Sequence, residues 1–261
     1  NVTERKTVVY PNPQVLAEAV AARTLLTIID LLAEPNRKRV DIAVTGGTDG
    51  NRVFAAMNAS PLNDAVDWSR VHVWWGGERF VAADDDDRNA KQARELDGAL
   101  MESGRMPAAN IHAMPADTRG AEEIAAASPE QTDAVLAEAA AEYQRELIEQ
   151  LGENPALDIA MFGMGPDAHF ASLFPDHGEA EIDDRTCWSQ ACAFAETAAA
   201  APDIDRADDR PVEAYVGVTS EERKAGAVKA ARQRNNPHAP SSYADGEELL
   251  WLIDEGAASK L

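Results

Sequence analysis

Three short apolar runs, each stopped by glycine, constrain this chain more than any other feature: "RVDIAVTGG" at 39–47, "RVHVWWGG" at 70–77 and "DIAMFGMG" at 158–165. Each is too short for a helix that packs by one face, and each is apolar almost throughout instead of alternating. Strands read this way when both of their faces are covered, as in parallel sheets. Each run is followed by polar residues and then a helical stretch, the rhythm of strands joined by crossover helices. The expected fold is therefore a single-domain, three-layer α/β/α structure with a mostly parallel, Rossmann-like sheet spanning residues 1–261. No internal repeat and no linker rich in Pro, Gly or Ser divides it.

The remaining segments fit that plan. "TVVY" reads as a strand, and Asn12 with Pro13 reads as the cap and first position of a helix whose Leu16, Val20, Leu25, Ile28 and Leu32 recur at helical spacing. "DRNAKQARELDGAL" and "SPEQTDAVLAEAAAEYQRELIEQLG" are helical, "EAYVGV" is β-like, and "LLWLID" is helical or a last strand. The stretch 187–220 is the least legible; its "ETAAAAPDIDRADDRP" resembles surface helix and loop.

A formal charge of −22 argues against nucleic acid or an anionic membrane surface as partner, because nothing basic and extended neutralises phosphates. An anionic ligand must be small and held by a local cluster. No apolar stretch approaches the roughly 18 residues of a membrane span. The first thirty residues, with Glu4, Glu18 and Asp30, lack the plan of a signal peptide, so a cytoplasmic chain is expected, as a monomer or small homo-oligomer. Cys187 and Cys192, five apart with no second pair, suggest neither a disulfide framework nor a zinc site.

Ligands of open parallel sheets bind beyond the carboxyl ends of the strands. After the first run, Gly46, Gly47 and Thr48 lie between strand and helix, where backbone amides, hydroxyls and a helix dipole suit an anion. The same residues also read as a plain glycine turn, and they match neither a Walker A loop nor a dinucleotide fingerprint. After the second, Arg79 is placed to grip a phosphate or carboxylate, or else to pair with Asp85 or Asp86 of a solvated acidic loop. After the third, "GMGPDAH" delivers Asp167 and His169. The expectation is a helix beginning near Asp167, whose dipole keeps the His169 ring neutral, as a general base requires. Asp167 orients that ring, contacts substrate or caps the helix. A lone histidine is also compatible with a structural role. No Gly-x-Ser-x-Gly elbow is present, so activated water is preferred to a covalent nucleophile. His72, His112, His177 and His238 receive no role.

"GMGPDAHFASLFP" resembles the Gly-x-Gly-Pro-Asp-Gly-His-x-Ala-Ser-Leu-Phe-Pro signature of the 6-phosphogluconolactonases, within the glucosamine-6-phosphate isomerase-like superfamily, with Ala168 where glycine is usual. "WWGGERFVAADDDDRNAKQAR" is similar to the Trp-Gly-Asp-Glu-Arg segment of that family, and "VTGGTDG" to its Ser-Gly-Gly-Ser-Thr-Pro loop. "NIHAMPA" and "LLWLIDEGAASKL" also fit, in order, from about residue 10 to the end. Two departures stand out: Gly77 replaces an aspartate, and the family's Pro-Lys-Pro-Pro … Arg-Ile-Thr-Leu-Thr segment is not visible, as if a strand and a helix were absent near residue 220.

The resemblance implies hydrolysis of a phosphorylated six-carbon sugar lactone with no metal and no organic cofactor. It puts Gly46, Gly47, Thr48, Arg79 and Lys224 at the sugar phosphate, and makes His169, with Asp167, the residue that activates water. The alternatives are an isomerase/deaminase of the same superfamily, which wants a carboxylate base near Asp49, and a non-catalytic sugar-phosphate-binding protein.

Overall fold

Val40–Val44 is buried at all five positions and forms β2, paired in parallel with β3 (Val71–Trp75) on one side and β6 (Ile159–Gly163) on the other. In this computed structural model, residues 5–152, 157–176, 199–200, 214–233, 236–244 and 249–261 are described. The other strands of the main sheet are β1 (Arg5–Tyr10), β5 (Ile111–His112), β8 (Ala214–Thr219) and β9 (Leu249–Asp254). Their order is β1-β9-β8-β6-β2-β3-β5, and every pairing is parallel. "LLWLID" is thus a strand, buried at all six positions as a strand covered on both faces must be.

From β2 the chain builds outward through β3 to β5, then returns to the other side of β2 for β6 and continues outward to β8 and β9. The direction of growth reverses between β2 and β6. Such a reversal opens a crevice beyond the strand ends, because the two following connections leave over opposite faces.

Helices cover both faces. The longer ones are α1 (Pro13–Ala33), α2 (Gly47–Ala59), α3 (Asn89–Glu102) and α5 (Pro129–Leu151). Short α4 (Ala121–Ala126), α6 (Ala225–Ala231) and α7 (Glu255–Ala258) complete the set among the described residues. α1 starts as the sequence predicts: Asn12 Oδ1 accepts the Val15 N–H, Pro13 follows, and Leu16, Val20, Leu25 and Ile28 are buried. α5 opens with a reciprocal capping box between Ser128 and Gln131, and its Tyr143 is buried against the sheet, its hydroxyl meeting Trp75 and His112 backbone.

The sheet is filled around residue 220. β8 lies between β6 and β9 and runs directly into a turn at Glu222–Lys224 and then α6, so the strand and helix expected to be absent leave no vacancy there. Of the illegible stretch before it, only Ala199–Ala200 is described: it forms β7, antiparallel to β4 (Glu78–Arg79). Cys187, Cys192 and His177 lie outside the described residues.

Candidate active site

The crevice between β2 and β6 is an open cleft of about 420 Å³, and the three glycine-terminated strand ends meet in it. Gly46, Gly47 and Thr48 line it from the end of β2, Arg79 from beyond β3, and His169 from beyond β6. Lys224 reaches it from the turn after β8. Six sequence-predicted residues therefore share one cavity, and Asp167 adjoins it through His169.

The first strand end is the start of α2. Gly46 is its cap residue and offers no side-chain oxygen, so the leading N–H groups of this 13-residue helix are left for a ligand beside the Thr48 side chain. Asp49, one residue on, is buried. Its Oδ2 lies 2.8 Å from Lys224 Nζ and 3.2 Å from Ser220 N, and its Oδ1 accepts the Ser220 hydroxyl. Burial by itself would raise the Asp49 pKa; the Lys224 charge and the hydrogen bonds from Lys224 and Ser220 outweigh it and hold the group below the ordinary carboxylate range.

The second strand end is organised by Glu78, which the sequence reading passed over. Its side chain is buried, and its two oxygens accept the N–H groups of Arg79, Asn89 and Ala90 at 2.8, 2.7 and 2.8 Å. It thereby caps α3 from a distance and locks the β4 turn to that helix. Buried Arg88 stands 3.7 Å from Glu78 and donates to the carbonyls of Met114 and Pro115, so it serves the scaffold. Arg79 donates to the Asp87 carbonyl at 3.0 Å and not to the carboxylates of Asp85 or Asp86. The acidic run is a turn ahead of α3; Lys91 binds it through the Asp84 carbonyl and the Asp86 carboxylate.

The third strand end corrects an expectation. His169 is not in the first turn of a helix. Residues 164–176 form a series of tight turns: Gly165 N–H bonds to His169 O at 3.0 Å, and Phe170 and Leu173 exchange both backbone hydrogen bonds. Ala168, Ala171 and Ser172 have φ of 71°, 47° and 61°, left-handed values that stop helix growth. The helix dipole therefore has no part in the state of His169. A carboxylate takes its place: Asp167 Oδ1 is 2.6 Å from His169 Nδ1 and also accepts the His169 N–H at 3.2 Å. The hydrogen bond from His169 holds Asp167 below the ordinary carboxylate range, against the opposing effect of burial. With Nδ1–H directed at Asp167, Nε2 carries the free lone pair. Phe174 stacks on the ring at 5.0 Å and fixes its plane.

Gly77 has a local reason. A β-carbon there would stand 2.7 Å from Ser172 Oγ and 3.2 Å from the Ala171 carbonyl carbon, so its absence lets the His169 segment pack against the β3–β4 turn. His72 and His112, given no role from sequence, pair with each other: His72 Nδ1 lies 2.9 Å from His112 Nε2, and His112 Nδ1 lies 2.6 Å from Glu146 Oε1. Among the described residues, no helix is long and apolar enough to cross a membrane.

Asp167–His169 offers a base oriented by a carboxylate, and the N-terminus of α2 with Arg79 and Lys224 offers an anion site in the same cleft. The family model for glucosamine-6-phosphate isomerases/6-phosphogluconolactonase matches residues 11–251. The 6-phosphogluconolactonase of Streptomyces coelicolor is 34% identical over 264 residues, covering 97% of this chain and 94% of that protein. That of Mycobacterium leprae is 32% identical, covering 97% of each. The solved 6-phosphogluconolactonase of Trypanosoma brucei superposes with a TM-score of 0.73 at 20% identity, covering 99% of both chains, a likeness of fold.

Proposed function

The chain belongs to the glucosamine-6-phosphate isomerase/6-phosphogluconolactonase family, and from that premise we propose that its cleft hydrolyses 6-phospho-D-glucono-1,5-lactone to 6-phospho-D-gluconate, a step of the oxidative pentose phosphate pathway. The observation that carries the reading is the carboxylate-oriented histidine sharing one cleft with an anion site.

The phosphate is held by the amides of Gly47 and Thr48 at the start of α2, with Arg79 and Lys224 as cationic partners. His169 Nε2 takes a proton from a water molecule as that water attacks the lactone carbonyl carbon. Asp167 stabilises the imidazolium that forms, without itself being protonated. Backbone N–H groups of the glycine turns face the negative charge that develops on the carbonyl oxygen. When the tetrahedral intermediate collapses, the bond from carbon to ring oxygen breaks, and the imidazolium returns its proton to that oxygen. A lactone is already an activated ester, so the sequence needs neither metal nor organic cofactor. The protein acts as one domain over residues 1–261, in the cytoplasm, on a small phosphorylated sugar, as a monomer or small homo-oligomer with no nucleic-acid partner.

An isomerase/deaminase would need a carboxylate free to abstract a carbon-bound proton at the first glycine loop. Asp49 is that loop's carboxylate, and Lys224 and Ser220 engage both of its oxygens. The deciding experiment measures acid release from 6-phosphogluconolactone beside ammonia release from glucosamine 6-phosphate. Lactone hydrolysis above the spontaneous rate with no ammonia is expected; ammonia without lactone hydrolysis would overturn the reading.

A further inference from the structure

Lys224 offers the cleft a cationic donor, but its charge is balanced by Asp49. It is buried and its ammonium lies 2.8 Å from Asp49 Oδ2, so the pair is neutral as a unit. A phosphomonoester near neutral pH carries nearly two negative charges. The excess cation on the β8 side of the cleft comes from elsewhere.

The adjoining residue supplies it. Arg223 also lines the cleft, and its side chain is 57% exposed. Its Nε donates to Glu221 Oε2 at 2.6 Å, and among the described residues its two terminal nitrogens have no protein partner. Glu221 Oε1 is shared with Arg52, 3.6 Å away, and Arg52 also lies 3.5 Å from Asp49. In this connected group, Arg52, Lys224 and Arg223 stand against Asp49 and Glu221, a surplus of one positive charge. Of the two arginines in the group, Arg223 is the one that lines the cleft, and both of its terminal nitrogens are open among the described residues.

The backbone under Arg223 is held in place. Glu221 has a left-handed φ of 79°, and its N–H donates to Asp254 Oδ1 at 3.0 Å, while the Ser220 N–H donates to Asp49. Two carboxylates from different elements thus pin the turn that presents the guanidinium, and Glu221 fixes its Nε edge. A guanidinium anchored at Nε keeps its terminal N–H fork for phosphate oxygens.

We propose that Arg223 is a specificity-determining residue, its terminal nitrogens contacting the substrate's phosphate beside Lys224 and selecting phosphorylated over unphosphorylated sugar lactones and acids. The inference rests on the reading of the cleft as a sugar-phosphate site. Its test is titration calorimetry of wild type and Arg223→Gln with 6-phosphogluconate and with gluconate, together with kinetics on the phosphorylated and unphosphorylated lactones. Loss of a charge-assisted contact should weaken 6-phosphogluconate roughly tenfold at low salt, and less as salt rises. The KM for the phosphorylated lactone should rise by a similar factor with kcat within about twofold. Values for the unphosphorylated compounds should not move, and Arg223→Lys should recover part of the loss. Unchanged binding of 6-phosphogluconate in an Arg223→Gln enzyme that still hydrolyses lactone overturns the inference and leaves the hydrolase reading intact. Arg223-dependent binding by a wild type that hydrolyses no lactone supports the inference and removes the hydrolase reading. A wild type that does not distinguish 6-phosphogluconate from gluconate overturns the inference.

Discussion

Gly165→Ala should separate catalysis from folding. Gly165 does not occupy left-handed backbone, so alanine meets no left-handed strain there. The obstacle is steric: a β-carbon at this position would stand 2.1 Å from both Cε1 and Nδ1 of His169 and 2.5 Å from Asp167 Oδ1. Non-bonded carbons settle at about 3.5 Å, so the ring must retreat by about 1.4 Å and the 2.6 Å bond to Asp167 is lost. A misplacement of about 1 Å in a reacting group costs on the order of 10²-fold in rate. The His169 and Asp167 side chains are 39% and 51% exposed, and pairs so exposed contribute only ~0–1 kcal/mol to stability. For a chain of this size that corresponds to a Tm lowered by no more than about 4 °C. Lactone hydrolysis followed by proton release, corrected for the spontaneous reaction, should fall at least ~100-fold beside a nearly unchanged melting curve. Activity within about threefold of wild type, or a loss accompanied by unfolding, would refute the view that Gly165 makes room for a working His–Asp pair.

Other substitutions test the frame around the site. Glu78→Ala removes the acceptor of three backbone N–H groups and leaves buried Arg88 without its carboxylate, so unfolding by denaturant should show a loss of about 3 kcal/mol or more. Glu78→Gln, which keeps an acceptor oxygen, should lose less. His72 has its pKa lowered from the ordinary 6.5, chiefly by burial and then by Arg39. A group so depressed contributes stability that is fully present above the ordinary value and is lost as pH falls through the native value. Melting temperatures should therefore drop as pH is lowered below about 6.5, and His72→Gln should flatten that part of the profile; parallel profiles for the two proteins would exclude His72 as the cause.

Local pattern revealed the scaffold and most of the site's parts. Buried strands such as Val40–Val44 and Ile159–Gly163 announce themselves as unbroken apolar runs, and parallel topology then places their glycine-terminated ends together. The turn at His169 was misread because Pro166 and Asp167 are good helix openers; three left-handed residues and the Phe170–Leu173 pairing override that preference. The hydrogen bonding of Glu78 and the pairing of Asp49, read from sequence only as the first loop's carboxylate, were illegible for other reasons. The partners of Asp49 are distant in sequence, with Lys224 175 residues beyond it, and a carboxylate's reach across such a distance is set by the sheet and not by neighbouring residues. For Glu78 a signal was present: the Glu-Arg pair precedes the Asn89 helix start by 11 residues, a distance a single turn can bridge.

The central claim is that His169 activates the water that opens the lactone, and turnover of His169→Gln on 6-phosphogluconolactone, corrected for spontaneous hydrolysis, tests it most directly. Removal of a general base should lower kcat by roughly 10²–10⁴ while 6-phosphogluconate still binds. A kcat within a few-fold of wild type would contradict the assignment of His169 as the base.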